Sequence, residues 1–375
     1  MIFKNAEVFL NGRFERADFE VENGVFRRIS PCIEEDGADL SHLCVIPGLV
    51  DIHTHGAIGE DFSRCGRDAL EKLEKHYLSI GVTSVLPTVL AVNIDKYREI
   101  LPVLAEFTDK SSVFAGINLE GPFISKSKSG AIDKNAIIPF DRCILNELIS
   151  LCGGQLKIMT AAPETEGFDE LLKLSRGLFR LSLGHTECTG DQAAAAFEGG
   201  AENVTHLFNA MDSLHHRKGG IIAEALSRDV FKEIICDGFH IENRVLKGIF
   251  KGYSPTLAAV SDSMSAEGLS DGEYFLGGLP VTVKDKKAYL TGTDTIAGSC
   301  RNLFDGFVNL ISAGVGISAA VSAVTENPAK AAGIDRGVIK EGGDADFLIL
   351  PPVYDIISLK DNSIKAVYKR GERVR

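Results

Sequence analysis

The chain has 375 residues and a formal net charge of −12; 45% of its residues are hydrophobic and 25% are charged. This length exceeds that of most single cores, so it predicts a large domain with a smaller second one. The acidic balance argues against binding along nucleic acid or on a membrane surface, because both need a basic field. It does not exclude a small anionic substrate held by a few local donors.

No apolar run reaches the roughly 18 residues that a membrane helix needs. Eight cysteines are scattered without a Cys-x-x-Cys pair, and no basic and apolar leader opens the chain. We interpret the cysteines as reduced thiols. The expectation is a soluble, cytoplasmic protein without a membrane or nucleic-acid partner.

The two ends of the chain share a sequence pattern that predicts short strands. In residues 1–48 the pairs Asn11-Gly12 and Asn23-Gly24 separate apolar runs, which is typical of hairpin turns. Residues 335–375 repeat this pattern. We therefore predict a small β-sandwich built from 1–48 and 335–375, flanking a central domain at 49–334.

The central domain alternates short apolar runs with helix-period segments such as 69–80 and 94–107. Such alternation favours βαβ units and an α/β fold, here a (β/α)₈ TIM-like barrel with a closed parallel sheet. Eight runs qualify as its strands. They end near Asp51, Val89, Glu120, Ala161, Gly184, His206, Asp237 and Asp262.

Polar residues at these strand ends predict a metal site. His53 and His55 stand at i and i+2 of a strand, so their side chains point the same way. Glu120, His185 and His206 follow strands 3, 5 and 6, and the carboxyl ends of barrel strands meet at one rim. Four imidazoles and a carboxylate suit one or two divalent ions, with Zn²⁺ or Fe²⁺ favoured.

Asp262, at the end of strand 8, is a candidate general base and acid, since a carboxylate can take a proton from water and return it to a leaving amine. The alternative for this aspartate is a helix N-cap beside two serines.

Eight motifs carry a resemblance that covers nearly the whole chain. They occupy residues 47–56, 119–123, 184–186, 205–211, 216–217, 237–240, 261–264 and 296–299. In this order they resemble the N-acetylglucosamine-6-phosphate deacetylases of the amidohydrolase superfamily. The resemblance implies metal-dependent hydrolysis of the acetamide of N-acetylglucosamine-6-phosphate to glucosamine-6-phosphate and acetate.

The resemblance also implies individual roles. Glu120, His185 and His206 match the metal ligands of all members, whereas His53 and His55 match a pair found only in two-metal members. Arg217 is expected to bind the sugar phosphate and to reach a neighbouring subunit, in keeping with the homodimers that are common among members of the family. The implied substrate-binding residues are Ala131, Asn209, Ala210, Arg217, His240, Ile296, Ala297 and Gly298.

Two places depart from the family pattern. The loop after Arg217 reads Lys-Gly-Gly, where a Glu-Pro-Gly-like sequence is common, and Ile132 is the second. Ile132 stands where relatives carry a polar residue, often His or Gln, so the site lacks a donor to the substrate amide. This leaves N-acetylgalactosamine-6-phosphate or another amide as an alternative substrate. The nearest rival to a deacetylase is a hydrolase of cyclic amides or dipeptides. Many of these enzymes bridge two metals with a carboxylated lysine at the end of strand 4, but Lys157 comes too early in its strand for that role. A non-catalytic barrel scaffold is the remaining alternative, although no candidate ligand is missing.

Overall fold

The computed structural model describes residues 1–352 and 363–375. The chain begins with five strands: β1 (Ile2–Leu10), β2 (Arg13–Glu22), β3 (Val25–Ser30), β4 (Ala38–Asp39) and β5 (Cys44–Pro47). Asn11-Gly12 joins β1 to β2 and Asn23-Gly24 joins β2 to β3, and all four residues have positive φ. Positive φ at both central residues is the conformation of a type I′ hairpin turn. The two predicted hairpins are therefore confirmed.

The central part alternates strands and helices. Its elements are β6 (Leu49–Thr54), β7 (Gly56–Ala57), β8 (Glu60–Asp61), α1 (Arg67–Ser79), β9 (Val82–Leu90), α2 (Ile94–Lys110), β10 (Ile117–Glu120), α3 (Arg142–Leu151), β11 (Leu156–Ala161), α4 (Phe168–Ser175), β12 (Arg180–Leu183), α5 (Gly190–Gly199), β13 (Asn203–Val204), α6 (Gly220–Leu226), β14 (Phe231–Ile235), α7 (Asn243–Tyr253) and β15 (Leu257–Val260). Single 3₁₀ turns occupy Lys126–Lys128 and Ser254–Thr256.

The remaining elements follow the eighth barrel strand. They are β16 (Gly272–Leu276), β17 (Leu279–Lys284), β18 (Lys287–Leu290), α8 (Leu303–Ser312), α9 (Ile317–Val324), α10 (Glu326–Ala332), β19 (Phe347–Leu350), β20 (Ala366–Lys369) and β21 (Glu372–Arg373). None of the helices in the described ranges is both long and apolar enough to cross a bilayer.

Eight parallel strands form the barrel sheet, in the order β15-β14-β13-β12-β11-β10-β9-β6. At the rim, backbone hydrogen bonds join the first strand to the segment after the last one: Asp262 N to His53 O at 2.9 Å, and His55 N to Ser263 O at 2.8 Å. The predicted (β/α)₈ barrel is confirmed. Its parallel order places every strand's carboxyl end at one rim.

The burial pattern explains why these segments fold into this barrel. All nine residues of β9 are buried, as expected for a parallel strand covered on both faces. In α1, Leu70, Leu73 and Tyr77 are buried at i, i+3 and i+7, which is one face of a helix. The helices therefore shield the outside of the sheet, and the polar residues at the strand ends remain the chemically active surface.

The two ends of the chain combine into one eight-stranded mixed sheet, in which β19 lies between β5 and β20. An aromatic cluster of Phe3, Phe19, Phe347 and Tyr368 forms its core. The predicted pairing of the termini into a small β unit is confirmed. The exact limits 1–48, 49–334 and 335–375 stay predictions, and 353–362 within the last segment lie outside the described residues.

A three-stranded antiparallel sheet, β16-β17-β18, follows the eighth barrel strand and was not predicted. It reaches the carboxyl-terminal rim of the barrel, because the backbone N–H of Gly277 donates to Asp61 Oδ2 at 2.9 Å. In the sequence, this sheet is indicated by the alternation of apolar and polar residues in 272–290, which the glycine pair at 277–278 interrupts. The barrel alone explains the metal ligands, and this small sheet adds one wall of the cavity above them.

Candidate metal and substrate site

The candidate metal ligands meet at the carboxyl-terminal rim of the barrel. His53 and His55 lie at the end of β6, and Glu120 is the last residue of β10. His185 and His206 each follow their strands, β12 and β13, by two residues. All five side chains are buried, so a reacting group held among them would be shielded from bulk water.

Glu120 lies at the centre of the cluster. Its Oε1 is 3.0 Å from His185 Nε2, 2.9 Å from His206 Nε2 and 3.3 Å from His53 Nε2. Its Oε2 is 3.3 Å from His55 Nε2. The ligand atoms thus form two groups that share this carboxylate, and within each group all atoms lie within 4.8 Å of one another.

Hydrogen bonds on the far side of the rings fix which nitrogen faces the centre. His55 Nδ1 contacts Thr88 O at 3.2 Å, and His185 Nδ1 contacts Lys128 O at 2.7 Å. A carbonyl oxygen only accepts hydrogen bonds, so each Nδ1 must carry a proton. In the neutral rings, Nε2 then presents a lone pair to the other ligands, which is the arrangement required for binding a metal.

Two further observations show that a cation fits here. His53 Nε2 is buried and has no hydrogen-bond partner among the described residues. His185 Nε2 and His206 Nε2 are 3.1 Å apart, a distance at which two lone pairs repel unless a positive charge lies between them. Imidazole nitrogens with a carboxylate are a donor set of borderline divalent metals.

The electrostatics of the cluster also favour a cation. Burial acts to raise the pKa of Glu120, but His53, His185 and His206 outweigh it and hold that pKa well below the ordinary value. Burial likewise acts to lower the pKa of His53, whereas the Glu120 and Glu233 carboxylates raise it well above its usual range. Positive charge on the rings thus keeps Glu120 ionised inside a buried pocket, and a bound metal ion would take over that role with the rings in their neutral form.

Several residues at this rim have unusual backbone conformations. His185, His206 and Asp262 have φ values of 47°, 28° and 49°, and Phe208 and Ala210 are also at positive φ. Non-glycine residues rarely adopt this left-handed region, and such strain tends to concentrate at functional sites. Tight turns directly after the strands therefore give these side chains and backbone amides their positions.

Asp262 completes the centre. Its Oδ1 lies 3.1 Å from His55 Nε2 and 3.6 Å from His53 Nε2. Burial acts to raise the pKa of Asp262, but its hydrogen bond with His55 and the charge of the nearby histidines lower that pKa below the ordinary value. The side chain is therefore ionised at neutral pH, as a proton acceptor must be.

A cavity of about 390 Å³ opens above the cluster. This volume suits a ligand the size of one sugar ring. The candidate residues on its wall are His55, Glu120, Ala131, His185, His206, Asn209, Ala210, His240, Asp262, Ile296 and Gly298. Gly298 has φ +66°, and a Cβ there would lie 3.0 Å from the carbonyl oxygen of Asp262, so glycine permits the close approach of these two segments.

Two of the candidate substrate-binding residues do not lie on this wall. Ala297 is fully buried, and its backbone N–H donates to Ala288 O at 3.1 Å. Arg217 is exposed in the loop before α6, where Nη1 contacts His216 Nε2 at 2.6 Å, and it borders a separate surface cavity of about 1130 Å³. Within one chain, Arg217 is not brought to the metal cluster.

Sequence reasoning missed two carboxylates that contact the site residues. Glu233 Oε2 lies 2.9 Å from His53 Nδ1, and Asp237 Oδ2 lies 2.8 Å from His240 Nδ1. Burial acts to raise the pKa of Asp237, but its hydrogen bonds with His240 lower it to about 2. The available signal for Glu233 was a pair of charged residues, Lys232 and Glu233, inside the short strand Phe231–Ile235.

An apolar wall was also not predicted. Leu90, Ile132 and Leu276 line the cavity and belong to one buried cluster. Asp294 and Thr295 line the cavity as well. Lys157 is the second residue of β11 and therefore lies toward the amino-terminal end of the barrel, away from the rim.

A (β/α)₈ barrel whose rim holds four histidines, a shared glutamate and an aspartate defines a metal-dependent hydrolase. The model of the amidohydrolase family matches residues 44–374. The chain belongs to the amidohydrolase family.

Individual relatives agree with the resemblance read from the motifs. An N-acetylglucosamine-6-phosphate deacetylase of Bacillus subtilis is 35% identical, over 88% of this chain and 86% of that protein. An N-acetylgalactosamine-6-phosphate deacetylase of Escherichia coli O157:H7 is 29% identical, over 90% and 92%. The structure of an aspartate-to-alanine mutant of the Mycobacterium smegmatis N-acetyl-D-glucosamine-6-phosphate deacetylase, in complex with N-acetyl-D-glucosamine-6-phosphate, is similar to this chain. Its TM-score is 0.93 at 28% identity, over 100% of this chain and 99% of that one.

Proposed function

We propose that this protein hydrolyses the acetamide of N-acetylglucosamine-6-phosphate to glucosamine-6-phosphate and acetate. The observation that carries the proposal is the placement of Asp262 Oδ1 3.1 Å from His55 Nε2, on the wall of a sugar-sized cavity above the Glu120 cluster. Relatives of the same family that act on N-acetylated sugar phosphates support this substrate class.

The metal would be held by His53, His55, Glu120, His185 and His206, as one or two ions, and we favour Zn²⁺ or Fe²⁺. When bound, a divalent metal lowers the pKa of water toward about 7 and polarises the amide carbonyl, which answers the weak electrophilicity of an acetamide.

Asp262 then carries the proton. As a carboxylate it accepts a proton from the attacking water, and as an acid it returns that proton to the nitrogen of the departing sugar amine. The return is needed because an unprotonated amine leaves poorly. Its position between the metal-ligand cluster and the open cavity gives it access to both water and substrate.

The substrate would be held by the residues around the cavity. The backbone N–H of Ala210 would donate a hydrogen bond without adding net charge. The backbone N–H of Asn209 is already bonded to His206 O at 2.9 Å. His240 Nδ1 donates to Asp237. Burial acts to lower the pKa of His240, but this hydrogen bond raises it, and in the charged ring Nε2 also carries a proton that it would donate to the sugar phosphate. Arg217 would supply a two-pronged donor to the phosphate from a neighbouring subunit of a homodimer.

The sugar ring would be positioned by Ala131 and by the segment of Ile296, Ala297 and Gly298. Ile296 and Gly298 lie on the cavity wall, and Ala297 would act through their backbone. We also propose a cytoplasmic location, in keeping with a phosphorylated substrate.

One feature favours an alternative substrate. Ile132, with Leu90 and Leu276, makes part of the wall apolar where the family resemblance leads us to expect a donor. N-acetylgalactosamine-6-phosphate or another amide is therefore the second candidate. The same proton transfer by Asp262 would serve each of these amides.

The test is steady-state acetate release from three substrates, measured on protein whose metal content has been counted. They are N-acetylglucosamine-6-phosphate, N-acetylgalactosamine-6-phosphate and unphosphorylated N-acetylglucosamine. We expect the first to be turned over fastest and the third slowest. Preference for the galactosamine derivative would establish the alternative, and no turnover at full metal content would reject both.

A further inference from the structure

Glu233 contacts both halves of the metal-ligand cluster without belonging to either. Its Oε2 lies 2.9 Å from His53 Nδ1, in the group of His53, His55 and Glu120. The same oxygen accepts from the backbone N–H of His206, in the other group, at 3.3 Å. The backbone carbonyl of Glu233 also accepts from Leu207 N at 2.8 Å.

The burial of this carboxylate has a cost that the fold alone does not explain. Glu233 is 1% exposed, and its Oε1 has no hydrogen-bond partner among the residues described by the structure. A buried charged oxygen without a partner is unfavourable, so its retention calls for a compensating positive charge nearby. The cluster of ligands beside it is where such a charge would be held.

The contact with His53 determines the state of that ring. An ionised carboxylate only accepts hydrogen bonds, so the proton of the neutral imidazole must be on Nδ1. Nε2 is then an unprotonated lone pair, and it is the buried atom that has no partner in the described structure. Thr88 O and Lys128 O act in the same way on His55 and His185, but those acceptors are uncharged backbone groups.

We infer that Glu233 is a positioning residue of the metal centre. It holds His53 in the tautomer and orientation that bind a metal, and through the backbone of His206 it fixes the distance between the two groups. This inference rests on the proposed metal dependence. Carboxylates that orient ligating histidines change metal affinity by about 10- to 100-fold when they are removed.

The experiment measures metal binding directly. Zn²⁺ affinity is determined by competition with a chromophoric chelator, and bound metal is counted by mass spectrometry, for wild type, Glu233→Ala and Glu233→Gln. The matched control is Glu267→Gln, because Glu267 is also buried and bonds a histidine ring, His76 Nε2 at 2.5 Å, that is not a candidate ligand.

We expect Glu233→Ala to weaken the more sensitive Zn²⁺ site by about 10- to 100-fold. Glu233→Gln keeps an acceptor but no charge and should lose less, while Glu267→Gln should bind as wild type does. Wild-type affinity in a folded Glu233→Ala protein would overturn the inference. If that variant does not fold, wild-type affinity in Glu233→Gln would do so.

An equal loss in Glu267→Gln would also overturn the inference, because it would show a general effect of removing buried charge. The result is separable from the proposed function. A chain that binds Zn²⁺ and loses it on Glu233→Ala, yet hydrolyses none of the amino-sugar amides, keeps this inference and rejects the deacetylase proposal.

Discussion

Replacement of Asp262 by asparagine separates proton transfer from folding and metal binding. Asp262 has a φ of 49°, and asparagine is one of the few residues that tolerates this left-handed conformation, whereas alanine would add strain. The backbone bonds to His53 O at 2.9 Å and from Ser299 N at 2.7 Å do not involve the side chain. The five candidate metal ligands are all retained in this variant.

The expected loss follows from the role of the side chain. A positioned general acid and base contributes about 10²- to 10⁴-fold to a rate, which corresponds to about 3 to 5 kcal/mol of activation free energy. We expect kcat for N-acetylglucosamine-6-phosphate to fall by this factor in Asp262→Asn. Metal content and melting temperature should stay near those of wild type.

The assay is acetate release at saturating substrate, with bound metal counted on the same preparation. Activity within about tenfold of wild type, at normal metal content, would refute proton transfer by Asp262. A loss of metal together with activity would show that this aspartate is mainly a ligand.

Three further predictions concern other parts of the site. The double change His53→Ala and His55→Ala should remove about one metal ion per chain if the centre is binuclear, as counted by mass spectrometry; an unchanged count would indicate a single ion. Arg217→Ala should raise KM for the phosphorylated substrate by about tenfold or more through the loss of a charge-assisted hydrogen bond, and an equal effect on the unphosphorylated sugar would remove it from phosphate binding. The pKa of Asp237 is lowered to about 2 in the folded chain, against about 4 in the unfolded chain. The ionised carboxylate therefore stabilises the folded chain by about 2 kcal/mol above pH 4, and this contribution is lost as the pH falls toward 2. The free energy of unfolding, measured with urea, should therefore differ less between pH 7 and pH 3 for Asp237→Asn than for wild type. Equal differences in the two proteins would contradict a contribution from Asp237.

The barrel and its ligands could be predicted because both depend on local pattern. Two histidines at i and i+2 of a strand must share a face, and parallel strands must end at the same rim. His53, His55, Glu120, His185 and His206 are each within two residues of a strand end in the structure. No knowledge of the packing was needed to bring them together.

The carboxylates behind the ligands could not be placed in the same way. Glu233 is in the seventh barrel strand and His53 in the first, and these strands are not neighbours, since β15 lies between them. Their contact depends on the curvature of the closed sheet and on side-chain reach. The sequence offered only an acidic residue in a short strand that also contains Lys232.

The wall of the cavity was missed for another reason. Leu276 enters from the β16–β18 sheet, an addition to the barrel that the βαβ pattern does not require. For Arg217 the role could be predicted from sequence, but the position could not. Its motif predicts phosphate binding, but one chain leaves it exposed on a loop, away from the metal-ligand cluster, and its delivery to a site depends on the proposed homodimer.

The most direct test of the central claim is to follow acetate release from N-acetylglucosamine-6-phosphate while the metal content of one preparation is varied. Metal is removed with a chelator and then returned stepwise as Zn²⁺ or Fe²⁺. If the cluster around Glu120 and Asp262 is a hydrolytic metal centre, activity should disappear with the metal and return in proportion to the metal bound. Full acetate release by metal-free protein, or none by fully loaded protein, would contradict it.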